Sequence, residues 1–158
     1  MDAEILGSIT TQVVTWALVV LGWVVVSGGN DKREQRKEIR TLINEISSDL
    51  NSLHTMCVNY YTSAPGGAEE SLSIQIKTSI DAIEKKVNLL ARQNRKFSIT
   101  SKVVRLRRVA TGNTNFESSA RVSLNYRDRL FLSIYSACQN IRDGLEQEFI
   151  TSYCKKVG

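Results

Sequence analysis

Apolar residues follow two different rhythms along this chain. From Ile5 to Gly29 the sequence ILGSITTQVVTWALVVLGWVVVSGG contains no charged side chain, and its apolar residues fall on every side of a helix. Beyond Asp31 they recur every three or four residues between charged ones. The first pattern belongs to a helix surrounded by lipid or by the interior of a large protein, the second to helices with one buried stripe.

A helix rises about 1.5 Å per residue, so roughly 20 apolar residues cross the ~30 Å hydrocarbon core of a bilayer. A chain of 158 residues is too small to enclose such a helix in protein. The pattern predicts a short extracytoplasmic N-terminus over residues 1–6, a transmembrane helix over 7–28 and a helical domain over 29–158. A cleavable signal peptide ending near Val26-Ser27-Gly28 competes with this reading. The acidic leader (Asp2, Glu4) and the length of the apolar run oppose it.

Within the span, Ser8, Thr11, Thr15 and Gly22 share a stripe, with Gln12 beside it. Small and hydroxyl residues let helices approach closely, and an amide in hydrocarbon seeks a partner. Gln12, Thr15 and Gly22 are therefore the candidates for self-association in the membrane. The competing reading has the hydroxyls bonded to their own backbone and Gln12 reaching outward.

Gly28-Gly29-Asn30 is expected to loosen the chain, with Asn30 or Asp31 capping the helix that follows. That helix carries Ile39, Ile43, Ile46, Leu50, Leu53, Cys57 and Tyr60 at alternating spacings of four and three. Such a seam serves either an intermolecular coiled coil, with Ile43, Ile46, Leu50 and Leu53 at its centre, or a single-chain bundle. Ser63-Ala64-Pro65-Gly66-Gly67 marks a turn. A second helix begins near Ala68, has its seam at Leu72, Ile76, Ile80, Ile83, Val87 and Leu90, and packs antiparallel on the first. A third, shorter helix starts at Ser98 or Thr100 and buries Ile99, Val103, Leu106 and Ala110, ending in the polar loop 111–115. A final helix is expected from about Phe116 to Tyr153, striped by Ala120, Leu124, Phe131, Ile134, Cys138, Ile141, Leu145 and Phe149. The fold class is all-α, with a transmembrane helix followed by an antiparallel bundle of three to four helices.

Charge fixes the orientation. All 21 Lys and Arg lie beyond residue 31, against 14 of the 16 Asp and Glu from residue 31 on, so that this part carries a net +7. Lys32, Arg33, Arg36, Lys37 and Arg40 follow the apolar run directly, and by the positive-inside rule this flank lies in the cytoplasm. The expected location is the inner (plasma) membrane, N-terminus out. Three cysteines without a CxxC pair fit reduced thiols.

Between Lys85 and Arg108 there are nine basic residues and no acidic one. Arg105, Arg107 and Arg108 are the candidates for a basic face that meets anionic lipid or an acidic protein partner. The plain alternative is a solvated face that neutralises acids on neighbouring helices. Nucleic-acid binding would interleave aromatic residues for stacking, and only Phe97 is present.

Catalytic chemistry finds little support. One histidine, His54, stands without a ligand partner at metal spacing, and phosphate-binding, zinc-protease, nucleophile-elbow and calcium-loop motifs are missing. No enzyme, cofactor or metal is expected. The residues point to a membrane-anchored, self-associating interaction module. The alternatives are a membrane effector whose spans assemble to perturb the bilayer, and a tethered nonspecific nucleic-acid binder.

Overall fold

The structure, a computed structural model, describes residues 2–66 and 69–154; within the first helix it describes side chains only at Trp16, Leu18, Val19, Val20 and from Lys32 on. Among the described residues four α-helices follow one another: α1 (Asp2–Thr62), α2 (Glu69–Gln93), α3 (Thr100–Thr111) and α4 (Arg129–Phe149). A 3-10 turn at Arg95–Phe97 precedes α3, and a π-helical turn at Ile150–Cys154 prolongs α4. No strand occurs among the described residues.

The chain divides into two compact units, residues 1–38 and 39–158. In the first, α1 continues through Gly28-Gly29-Asn30, where a break was expected. Each glycine costs about 1 kcal/mol in a helix interior, but helical turns on both sides share the nucleation cost and carry the hydrogen-bond ladder across. Among the described residues no helix is long and apolar enough to cross a membrane. The transmembrane segment expected over 7–28 lies largely outside the described side chains. The four that are described, Trp16, Leu18, Val19 and Val20, are all exposed.

The second unit is an all-helical bundle. Ile39, Ile43, Ile46, Leu50, Leu53, Cys57 and Tyr60 are all buried, as the seam predicts. Opposite them α2 buries Ile76, Ile80, Ile83, Val87 and Leu90. Its first predicted seam residue, Leu72, is only partly covered, and Ser73 takes the buried position. The Ser73 hydroxyl is satisfied by the Glu70 carbonyl, 3.0 Å away. The third helix buries Val103, Leu106 and Ala110 and stops at Gly112. A Cβ there would stand 2.5 Å from the Arg108 carbonyl oxygen, so glycine is required by the close approach of backbone.

The final helix begins later than its stripe suggests. Residues 112–128 are non-helical, Ala120 is exposed, and α4 starts only after Asp128, whose carboxylate caps it by accepting from the Leu130 N–H at 2.8 Å. This segment closes the C-terminal end of α1, where the last carbonyls lack intrahelical donors. Four consecutive carbonyls are satisfied from it. Arg121 donates to Tyr60 and, at 3.0 Å, to Ser63; the Leu124 N–H donates to Tyr61 at 2.8 Å; the Ser123 hydroxyl donates to Thr62 at 2.6 Å. Continuing α4 backwards through these residues would forfeit all of those bonds.

Gly144 also finds its reason. It is buried in α4, and a Cβ there would meet the Lys102 ammonium at 2.5 Å. The glycine leaves room for Lys102 to cross and donate to the Asn140 carbonyl at 3.0 Å.

Candidate functional site

The sequence nominated three groups of residues. Gln12, Thr15 and Gly22 lie outside the residues whose side chains are described. Ile43, Ile46, Leu50 and Leu53 are fully buried against α2, α3 and α4 within one chain. The seam is therefore the intramolecular core, and a second copy would reach it only by opening the bundle.

Arg105, Arg107 and Arg108 do not make a common face. Val103, Leu106 and Ala110 turn one side of α3 inward, and at 100° per residue Arg107 points about 160° away from Arg105. It reaches α2, where it pairs with Asp81 at 2.5 Å and Glu84 at 2.8 Å. The Asp81 carboxylate, and then Glu84, raise its pKa further. Arg105 and Arg108 stay exposed. Arg105 lines a shallow cleft of about 440 Å³ with Val109, Arg129 and Leu132.

Other members of the basic run are likewise engaged between helices. Lys86 of α2 bridges Asp49 (2.8 Å) and Glu45 (3.1 Å) of α1, and the Asp49 carboxylate holds its pKa above the usual lysine value. Lys102 crosses to α4 as described above. The neutralising role that the sequence offered as the plain alternative accounts for Lys86 and Arg107, while Lys102 is taken up by a backbone carbonyl.

Of the six other cations in the run, Lys85, Arg105 and Arg108 are spread along α2 and α3, and Arg92, Arg95 and Lys96 lie together at the end of α2. All three are exposed, and among the described residues none has a carboxylate within 4 Å. Arg92 stands in the last turn of α2, where a cation suits the negative end of the helix dipole. Arg95 and Lys96 form the 3-10 turn, which is fixed by the Asn94 carboxamide accepting from the Lys96 N–H (3.1 Å) and by the fully buried Phe97. Asn88, Ala91, Arg92 and Arg95 line a shallow cleft of about 510 Å³. This cluster lies at the end of the bundle where its chain begins. Arg40, one residue after Ile39, pairs with Glu146 at 2.6 Å and lies over the Phe149 ring at 5.3 Å. The Asn94 amide reaches the Ser152 hydroxyl at 3.5 Å. The ends of α2 and α4 therefore surround the start of the bundle segment of α1.

No protein-family model matches the chain, and comparison with characterised proteins and with solved structures returns no match. Function must be read from the residues themselves.

The opposite end of the bundle carries Arg121, which the sequence reading did not single out. Its side chain is 1 % exposed and pairs with Glu69 at 2.6 Å while stacking over Tyr60 at 4.8 Å. The advance signal was weak: Arg121 is one of two arginines in the 112–128 segment. Arg121 and the Gly66 N–H hold the Glu69 carboxyl below its usual range. The Tyr61 phenol donates to the Ala110 carbonyl at 2.7 Å and is pushed up by burial. This end is a structural lock.

The remaining reactive groups are placed for packing. His54 meets Tyr135 edge-on at 5.8 Å, and burial followed by the Arg142 charge lowers its pKa, which leaves it neutral at physiological pH. Cys57 and Cys138 are buried, and burial pushes their thiols up to about 12 and about 11. Cys154 is exposed. Among the described residues no group of three or more His, Cys, Asp or Glu could hold a metal ion.

Proposed function

We propose that the protein is a non-catalytic helical module anchored in the inner membrane by its N-terminal segment, with the 39–158 bundle on the cytoplasmic side. One observation carries this reading. Trp16, Leu18, Val19 and Val20 are exposed, and at 100° per residue they spread over about 200° of the helix circumference. Apolar side chains directed over so wide an arc, within a run of 25 residues that lacks any charge, call for hydrocarbon and not water. The basic residues that follow orient it.

Because the bundle seam is closed within one chain, self-association is assigned to the span, with Gln12, Thr15 and Gly22 as its contacts. Membranes washed with alkaline carbonate should retain the full chain, and protease added to inside-out vesicles should digest the bundle. A chain that stays in the supernatant after ultracentrifugation without detergent refutes the anchor. Light scattering in mild detergent should show an oligomer that Gly22→Leu dissociates, with the helical circular dichroism unchanged.

A further inference from the structure

We infer that the bundle end formed by Arg92, Arg95 and Lys96 docks on the phosphate groups of anionic phospholipids. The inference rests on the membrane reading above and adds to it a ligand and a surface. Three exposed cations lie within five residues of sequence with no carboxylate within 4 Å among the described residues; Lys86, Lys102 and Arg107 of the same basic run are engaged inside the bundle, and the other exposed ones, Lys85, Arg105 and Arg108, are spread along α2 and α3. Two of the three line one cleft with the Asn88 amide, a donor set that suits a phosphodiester. The cluster surrounds the start of the bundle segment of α1, and only ten residues separate Ile39 from Gly29. Ten residues reach at most about 36 Å, so a membrane-anchored chain keeps this end at high local concentration beside the headgroups.

A free phosphodiester, as in nucleic acid, shares the recognised chemistry. The surface is assigned to lipid because of the tether and because stacking aromatics are missing beside the arginines: Phe97, the nearest, is fully buried.

The native exposed thiol makes the test direct. The full chain is labelled with a fluorophore at Cys154, at the same end, while Cys57 and Cys138 are shielded by burial. It is reconstituted into vesicles of phosphatidylcholine with or without phosphatidylglycerol, each containing a headgroup-linked quencher. Quenching should be stronger in the anionic vesicles. It should weaken as salt rises from 0.1 to 1 M, which shortens the Debye length from about 10 to 3 Å. Each cation near an anionic surface favours the docked state about 5-fold, so Arg92→Gln/Arg95→Gln/Lys96→Gln should lower the docked-to-undocked ratio ~100-fold and return quenching to the neutral-vesicle level. Equal quenching in both vesicle types, with the chain resistant to carbonate, overturns the docking surface and leaves the anchor standing. Loss of the chain to the carbonate wash overturns the anchor, and the docking inference with it. Displacement from anionic vesicles by a single-stranded oligonucleotide at physiological salt would reassign the cluster to nucleic acid.

Discussion

Replacing Arg121 by methionine removes the guanidinium while keeping a long apolar stem, and the structure sets the size of the effect. The lost contacts are the bonds to the carbonyls of Tyr60 and Ser63, the pair with Glu69 and the stacking over Tyr60. A hydrogen bond from a charged donor contributes about 1.5–3 kcal/mol, and a desolvated cation–π contact about 1–2 kcal/mol. The Tyr60 carbonyl keeps only the Ser63 hydroxyl, 3.1 Å away, whereas the exposed Ser63 carbonyl is rehydrated and its bond counts for little. The loss is then about 3 kcal/mol, which in a unit of about 120 residues lowers the unfolding midpoint by roughly 10–15 °C. Both tryptophans, Trp16 and Trp23, lie in the 1–38 unit, so a probe inside the bundle is needed. The assay is pulsed alkylation of Cys57 and Cys138, both buried until the bundle opens. Arg121→Lys should recover less than half of the loss, because an ammonium cannot fork across two carbonyls and a carboxylate. A destabilisation below ~1 kcal/mol for Arg121→Met would refute the account of how α1 is closed, since that is the scale of one ordinary hydrogen bond.

Other outcomes follow from the same packing. At neutral pH the folded protein should take up a single alkyl group, at Cys154, by mass spectrometry. Above about pH 9 the thiols of the unfolded chain ionise while buried Cys57 and Cys138 keep their protons, so the unfolded state gains and urea midpoints should fall as pH rises from about 9 to about 11. At acid pH the sign reverses. The carboxyls of Glu69 and Glu117 are held low by Arg121 and Lys77, so their contribution is present above the ordinary carboxyl range and lost as pH falls through their lowered values. Glu69→Gln should flatten its part of that decline. Ile46→Ala should cost about 2–5 kcal/mol and raise thiol reactivity, whereas Arg105→Gln and Arg108→Gln should stay within about 0.5 kcal/mol of the parent, as read from denaturant midpoints.

The periodic part of this fold was legible in the residues. Seams at spacings of four and three located the buried face of α1 beyond Ile39, nearly all of α2, and the start and end of α3, because burial of a stripe is the dominant local requirement of an amphipathic helix. The stretch from Phe116 to Asp128 was misread for a physical reason. Ala120 and Leu124 fall at helical spacing by coincidence, while Arg121, Ser123 and the Leu124 N–H answer to α1 residues about 60 positions earlier. No local pattern encodes so distant a demand. The basic run was misjudged in a similar way. Its count of charges was plain, but whether an arginine faces Asp81 and Glu84 or faces solvent depends on how α3 is rotated against α2. The cluster at Arg92, Arg95 and Lys96 emerges only when the engaged cations are set aside.

The closure of α1 by Arg121 has a consequence for synthesis. The guanidinium and the Tyr60 carbonyl it caps are 61 positions apart. At roughly 5–20 residues per second, about 3–12 s elapse on the ribosome between the appearance of one and the other. Throughout that interval the nascent chain holds Tyr60, Tyr61 and the isoleucines before them without α4, covered first by nothing and then by α2 and α3 as each is made. A cell making this protein must shelter that surface in the meantime.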